Sequence, residues 1–216
     1  MKHLGNILEN DNSFKIDSDI KRGRFIGKLH SLQQEFHFCS PEVKMKLYNI
    51  YTFSFYGSNL YDLFGDQSNR LYAAFNQAVR MAYNVSRCTH KYLIETLSDC
   101  VHPKVLLCSR LVKFVDSMLN CRKSNILFLI TLCKDDKRTI IGRNLSKIAK
   151  ECDTEVHNLN CKIVKENMTA YPVPKEEQWR IQILKEMILC RQFDTLSIDN
   201  FDTTEIGELL QIVCES

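Results

Sequence analysis

Apolar residues recur along most of this chain at the three-and-four spacing of an α-helix. Between residues 15 and 38, Phe25, Leu29, Leu32 and Phe36 form one such stripe, with Ile16, Ile20, Gly23 and Gly27 in a neighbouring row. Each glycine inside a helix costs about 1 kcal/mol relative to alanine, so the row predicts a close backbone approach. Ser40-Pro41-Glu42 marks a second helix start, with serine as N-cap, proline at the first helical position and an acid against the positive helix end. The stretch that follows, KLYNIYTFSFYGSNLYDLF, is apolar almost all the way round and reads as one buried central helix. Further helices are predicted over 68–83, with Leu71, Phe75, Ala78 and Ala82 inward, and over 103–121, burying Val105, Cys108, Val112, Val115 and Leu119. Shorter ones follow at 124–133, 144–150 and 155–167.

The ends of the chain read differently. His3-Leu4-Gly5-Asn6-Ile7-Leu8 has the look of a short strand, and Glu9–Ser13 that of a polar turn. A lone strand leaves its backbone donors and acceptors unpaired, so it is either a frayed edge or one whose partner lies upstream of Met1 in a longer parent protein. AYPVPKEEQW is linker-like, its two prolines forcing extended backbone. Beyond it Trp179, Ile183, Met187 and Cys190 line a helix, and Asp202-Thr203-Thr204-Glu205 forms a capping box ahead of Ile206, Leu209, Leu210 and Val213. The fold expected is mainly α: a helical bundle with a short N-terminal β-strand or hairpin. Its parts are a helical region over 1–122, a basic helical connector over 123–170 and an acidic helical segment over 171–216.

Charge sharpens that division. The net charge of +3 conceals a gradient from +2 over residues 1–100, to +8 over 101–150, to −7 over 151–216. A basic middle attracts polyanions and an acidic tail discourages them, or the two blocks attract each other within the fold. The start has no apolar signal core and no run approaches a membrane span, so an intracellular protein, cytoplasmic or nuclear and without membrane association, is expected. In that setting the ten cysteines read as reduced thiols and the three Asn-x-Ser/Thr sequons as chance matches.

Candidate chemistry is sparse. No phosphate-cradling glycine loop is present, and Gly142 reads as a turn or helix start. Asp135-Asp136, flanked by Lys134, Lys137 and Arg138, reads as an exposed turn. Cys88-Thr89-His90 and Cys100-Val101-His102 carry four zinc-type ligands, but one intervening residue is poor geometry for a shared ion. Ordinary thiols and surface imidazoles are the alternative, and no cofactor is expected. Seven aromatics between Tyr48 and Phe64 could stack bases, yet no Lys or Arg follows Lys46 in that stretch, which favours a core role. The remaining signal is basic: Lys21, Arg24 and Lys28 at i, i+3, i+7 with Arg22 nearby, Arg80, Arg87 and Lys91 around a helix end, and Arg110, Lys113, Arg143 and Lys147 in the +8 block.

In order, HLGNIL, DIKRGRFIGKLHSLQQEFHFCSPEVKMKLYNIYTFSFYGSNLY and AAFNQAVRMAYNVSR resemble the region just after the palm in non-LTR retrotransposon reverse transcriptases of the jockey and chicken-repeat groups. GRNLSKIAKEC, YPVPKEEQWRIQILKEMILCR and LLQIVCES resemble the end of such polyproteins. Tyr61 stands where tryptophan is common in that family, and Cys88-Thr89-His90 where it is variable. The resemblance implies a thumb and C-terminal extension of an RNA-directed DNA polymerase, its first strand pairing with the palm. The Tyr-x-Asp-Asp motif of that palm does not occur in this chain, so no catalytic residue is carried over and no enzyme activity is expected. A thumb grips an RNA or RNA–DNA duplex by its sugar-phosphate backbone, for which cations on a rigid helical bundle suffice. The contacts expected are Lys21, Arg24, Lys28, Arg80, Arg87, Arg110 and Lys113, with the palm as missing partner and self-association where that face is open. The alternative is a helical scaffold or protein-interaction module, or a decayed fragment with no independent activity.

Overall fold

The computed structural model describes residues 16–52, 55, 57–98, 100–123 and 125–183, together with the backbone of 2–3, 6–7, 15 and 124. The protein is mainly helical. Its first helix, α1 (Lys15–Glu35), turns Phe25 and Leu29 into the core and leaves Ile16 and Ile20 exposed. The close approach expected at Gly23 and Gly27 is not there: a Cβ at either position would meet open space. Both glycines are exposed, so their spacing reflects no packing demand.

Helix α2 (Pro41–Thr52) starts where the Ser-Pro-Glu signal places it, with the Ser40 hydroxyl accepting from the Val43 N–H at 3.5 Å. It is much shorter than its aromatic run suggests. By Gly57 the backbone has turned left-handed (φ 78°), and Ser58–Leu60 form a single 3-10 turn. Aromatic content reports burial, not helicity: Tyr48, Phe55 and Tyr61 are buried, whereas Ile50 and Tyr51 on α2 are exposed. Residues 53, 54 and 56 lie outside the described residues.

Helix α3 (Asp66–Tyr83) buries Leu71, Phe75, Ala78 and Ala82 as its periodicity predicts, and ends on Asn84 in the left-handed conformation, whose N–H returns to the Arg80 carbonyl. A short helix, α4 (Lys91–Ser98), with Tyr92, Leu93, Ile94 and Leu97 buried, occupies a stretch where no helix was expected. The axis of the bundle is α5 (Pro103–Leu119). It packs against the Ser58–Leu60 turn, α3, α6 (Ser124–Asp135), α7 (Ile140–Glu151) and α8 (Cys161–Asn167). Leu107, Cys108 and Leu111 on α5 are essentially inaccessible. Each such leucine contributes about 1.5–3 kcal/mol of burial. One apolar cluster runs from Phe25 through α3 and α5 to Met168.

Helix α7 begins ahead of the predicted 144, because Thr139 is a working N-cap that accepts from the Gly142 N–H at 3.0 Å and donates to the Cys133 carbonyl at 2.6 Å. Much of the predicted 155–167 helix is instead a 3-10 turn (Val156–Asn158) followed by α8, which Asn160 caps. After a second 3-10 turn (Lys175–Glu177), helical backbone resumes over 178–183, with Trp179 half exposed. Met187, Cys190 and the terminal capping box lie outside the described residues.

At the N-terminus the single six-residue strand is not shown. Two-residue segments, β1 (Lys2–His3) and β2 (Asn6–Ile7), pair antiparallel with Lys2 opposite Ile7 and His3 opposite Asn6. The segment thus folds back on itself at this point. No described helix is long and apolar enough to cross a membrane.

Candidate nucleic-acid interface

The antiparallel approach of α1 and α2 leaves a groove of about 910 Å³ between them. Phe25, Leu32, Phe36, Leu47 and Phe55 supply apolar lining, and Tyr51 stands at its edge with more than half its surface exposed. Lys21, Arg24 and Lys28 all line it, because i, i+3 and i+7 fall on one side of α1. Glu35 lines the same groove and lowers its positive charge.

The three cations are not equivalent. Lys21 Nζ lies 2.8 Å from Asp17 Oδ2 and 5.5 Å from the centroid of the Tyr61 ring, and its side chain is only 13% exposed. Asp17 is buried and also accepts from the Tyr61 hydroxyl at 2.6 Å. Lys21 is therefore largely committed to neutralising a buried carboxylate. Lys28 donates to the Tyr51 carbonyl at 3.3 Å, a cation at the negative end of α2, and remains exposed. Arg24 is exposed along the groove. Arg22, beside them in sequence, pairs with Asp19 at 3.1 Å.

None of the other four expected contacts lines the groove. Arg80 donates through Nη2 to the Thr89 carbonyl at 2.7 Å, so it pins the turn after α3, and partial burial lowers its pKa. Arg87 is exposed on that same turn. Arg110 and Lys113 stand exposed one turn apart on α5, with desolvation lowering the Arg110 pKa.

The four zinc-type residues are held to separate tasks. His102 is buried as the N-cap of α5, where Nδ1 accepts from the Lys104 N–H at 3.1 Å. Its Nε2 lies 3.2 Å from Asn76 Oδ1, which makes the neutral Nε2–H tautomer the one that satisfies both contacts. Asn76 in turn donates to the Tyr171 hydroxyl at 2.9 Å, and the rings of Tyr72, Phe75 and Tyr171 surround the imidazole. Burial first, and Lys104 second, push the His102 pKa down to about 3. His90 stacks on Tyr92, Cys88 is exposed, and Cys100 Sγ faces the Met45 carbonyl. Among the described residues no group of three or more His, Cys, Asp or Glu side chains could hold a metal ion. The eight described cysteines are free, and burial pushes the Cys108 thiol up to about 12, an unreactive value. Asp136 spends its carboxylate on the backbone and guanidinium of Arg138, which hold its pKa below the usual range.

Sequence reasoning did not anticipate the groove itself. The apolar stripe and the basic row of α1 are both legible, but which of them would border open space depends on where α2 stops. No family model matches the chain, and no curated protein or solved structure matches it.

Proposed function

We propose that this chain is a non-catalytic, thumb-like helical region that binds an RNA or RNA–DNA duplex by its sugar-phosphate backbone, without reading sequence. The carrying observation is that Arg24 and Lys28 stand exposed in one row along the groove, with Lys21 in the same row but committed to Asp17 and Tyr51 exposed beside them. Phosphates attract such a row through Coulomb forces and counterion release, which require no base contacts. The resemblance to non-LTR reverse transcriptases supplies the biological setting: a fragment of an RNA-directed DNA polymerase, acting inside the cell alongside its palm. Arg87, Arg110 and Lys113 extend the cationic surface beyond the groove.

The test is a fluorescence-anisotropy titration of the full chain against a labelled RNA–DNA hybrid at several salt concentrations. Binding should weaken with salt at a log–log slope of about −2 to −3, on the order of 0.9 per neutralised phosphate, and be indifferent to sequence. A measurable affinity with no salt slope would sink the reading. So would a salt slope that the double variant Arg24→Ala/Lys28→Ala leaves unchanged.

A second reading draws on the groove lining. Its apolar side chains fit the stripe of an amphipathic helix from a protein partner, the geometry of a scaffold or interaction module. Under that reading the Arg24/Lys28 variant keeps its partner, whereas Leu32→Asp loses it.

A further inference from the structure

Helix α6 is apolar nearly all round, SNILFLITLCKD, a pattern that belongs in a protein interior. It packs on α5 and α7, with Ile130 buried. Yet Phe128, Leu129 and Leu132 are all more than half exposed, and Leu127 is 39% exposed. At i, i+1 and i+4, Phe128, Leu129 and Leu132 make one contiguous outward stripe. Surfaces of this kind normally meet a partner.

The surroundings of the stripe say which. Arg122 and Lys123 are exposed immediately before α6, and Lys137 and Arg138 immediately after it. The matching surface would be an apolar stripe accompanied by acids. Residues 194–216 carry six acidic groups and no Lys or Arg. Within them Ile206, Leu209, Leu210 and Val213 recur at helical spacing behind the Asp202–Glu205 capping box. The described residues end at Ile183, and the 18 residues from 184 to 201 can span roughly 60 Å when extended. That exceeds the distance across a bundle whose radius of gyration is about 17 Å, so reach imposes no restriction.

We infer that the outward face of α6 is a docking site for this chain's own acidic segment 202–213. Ile206, Leu209, Leu210 and Val213 cover Phe128, Leu129 and Leu132, and the acids of the segment meet the basic residues at both ends of α6. Docking brings the acidic tail onto Arg122, Lys123, Lys137 and Arg138 and withdraws these four cations from external polyanions. The inference is independent of the groove between α1 and α2.

The test places the photoreactive residue p-benzoylphenylalanine at position 128 of the full chain, a site exposed enough to accept it. Irradiation should give a product of monomer mass whose cross-linked peptide contains residues 202–213. The double variant Leu209→Asp/Leu210→Asp should lower that yield by about tenfold or more, while raising the fluorescence of the apolar dye ANS. Its helical circular dichroism should stay near wild type, showing that the bundle is still folded. Cross-links confined to other segments, cross-links to a second copy at dimer mass, or a yield unaffected by the double variant would each overturn the inference.

Discussion

The side-chain amide of Asn144 donates to the Tyr61 carbonyl at 2.7 Å, across 83 residues of sequence. Its oxygen accepts from the Leu63 N–H at 3.2 Å, so one fully buried side chain satisfies two backbone groups of the turn that follows α2. This clamp joins α7 to the segment where the expected aromatic helix gives way. It also leaves the amide of the Asn144-Leu145-Ser146 sequon inaccessible in the folded chain.

Asn144→Ala should destabilise the protein by about 2–4 kcal/mol, the cost of leaving two buried backbone groups unpaired. Asn144→Asp should be little better, because a carboxylate can still accept from Leu63 but has nothing to donate to Tyr61. Urea denaturation followed by circular dichroism measures both. A loss below 0.5 kcal/mol, the size of an ordinary surface change, would show that the clamp does not hold the turn.

The glycines separate in a way that spacing alone did not reveal. A Cβ on Gly142 would lie 2.7 Å from the Cys133 carbonyl and closer still to that of Asp136, both rigid backbone. Gly142→Ala should therefore cost about 1–3 kcal/mol. Gly23→Ala and Gly27→Ala face open space inside α1 and should each stabilise by about 0.5–1 kcal/mol. Thermal melts of the three variants check the contrast; similar shifts of one sign would contradict it.

His102 should make stability depend on acid. The folded protein holds this imidazole neutral, with a pKa near 3, whereas the unfolded chain protonates it near 6.5. The unfolded state therefore binds the extra proton between those values. The contribution of His102 is complete above about pH 6.5 and is lost as pH falls toward 3, by at most about 1.4 kcal/mol per pH unit. His102→Asn keeps an N-cap acceptor without the titration. Its stability deficit at pH 7 should narrow or reverse by pH 4 in urea denaturation curves, while a constant deficit would reject the assignment.

Where sequence and structure agree, the information was local and periodic. Helices α3 and α5 are long enough for a 3.6-residue stripe to stand out, and the residues on it are buried except Leu119, which at the end of α5 is only partly covered. Helix α4 is not legible because eight residues give barely two turns, too few for a stripe to stand out. The end of α2 was missed because tyrosines and phenylalanines serve helix and loop cores alike. The burial of Asn76, His102 and Asn144 had no local signature, since the side-chain partners that enclose them sit 26 to 95 residues away and only the His102 cap to Lys104 is local. For the candidate interface, the basic row on α1 was legible, but its borders were set by tertiary contacts.

Those contacts make Lys21 a different kind of residue from Arg24 and Lys28. Removing the Lys21 ammonium leaves the buried Asp17 carboxylate without this counter-charge, with the Tyr61 hydroxyl still donating to it. Lys21→Met should thus cost about 1–3 kcal/mol of stability, the penalty for a less well compensated buried group. Arg24→Ala and Lys28→Ala, on exposed positions, should stay within about 0.5 kcal/mol of wild type. In the RNA–DNA titration the order reverses. Arg24→Ala and Lys28→Ala should each remove close to one unit of salt slope, whereas Lys21→Met, assayed below its melting temperature, should remove much less. Equal effects of all three on stability and on slope would mean that the row acts through the fold of α1 and makes no direct contact with phosphate.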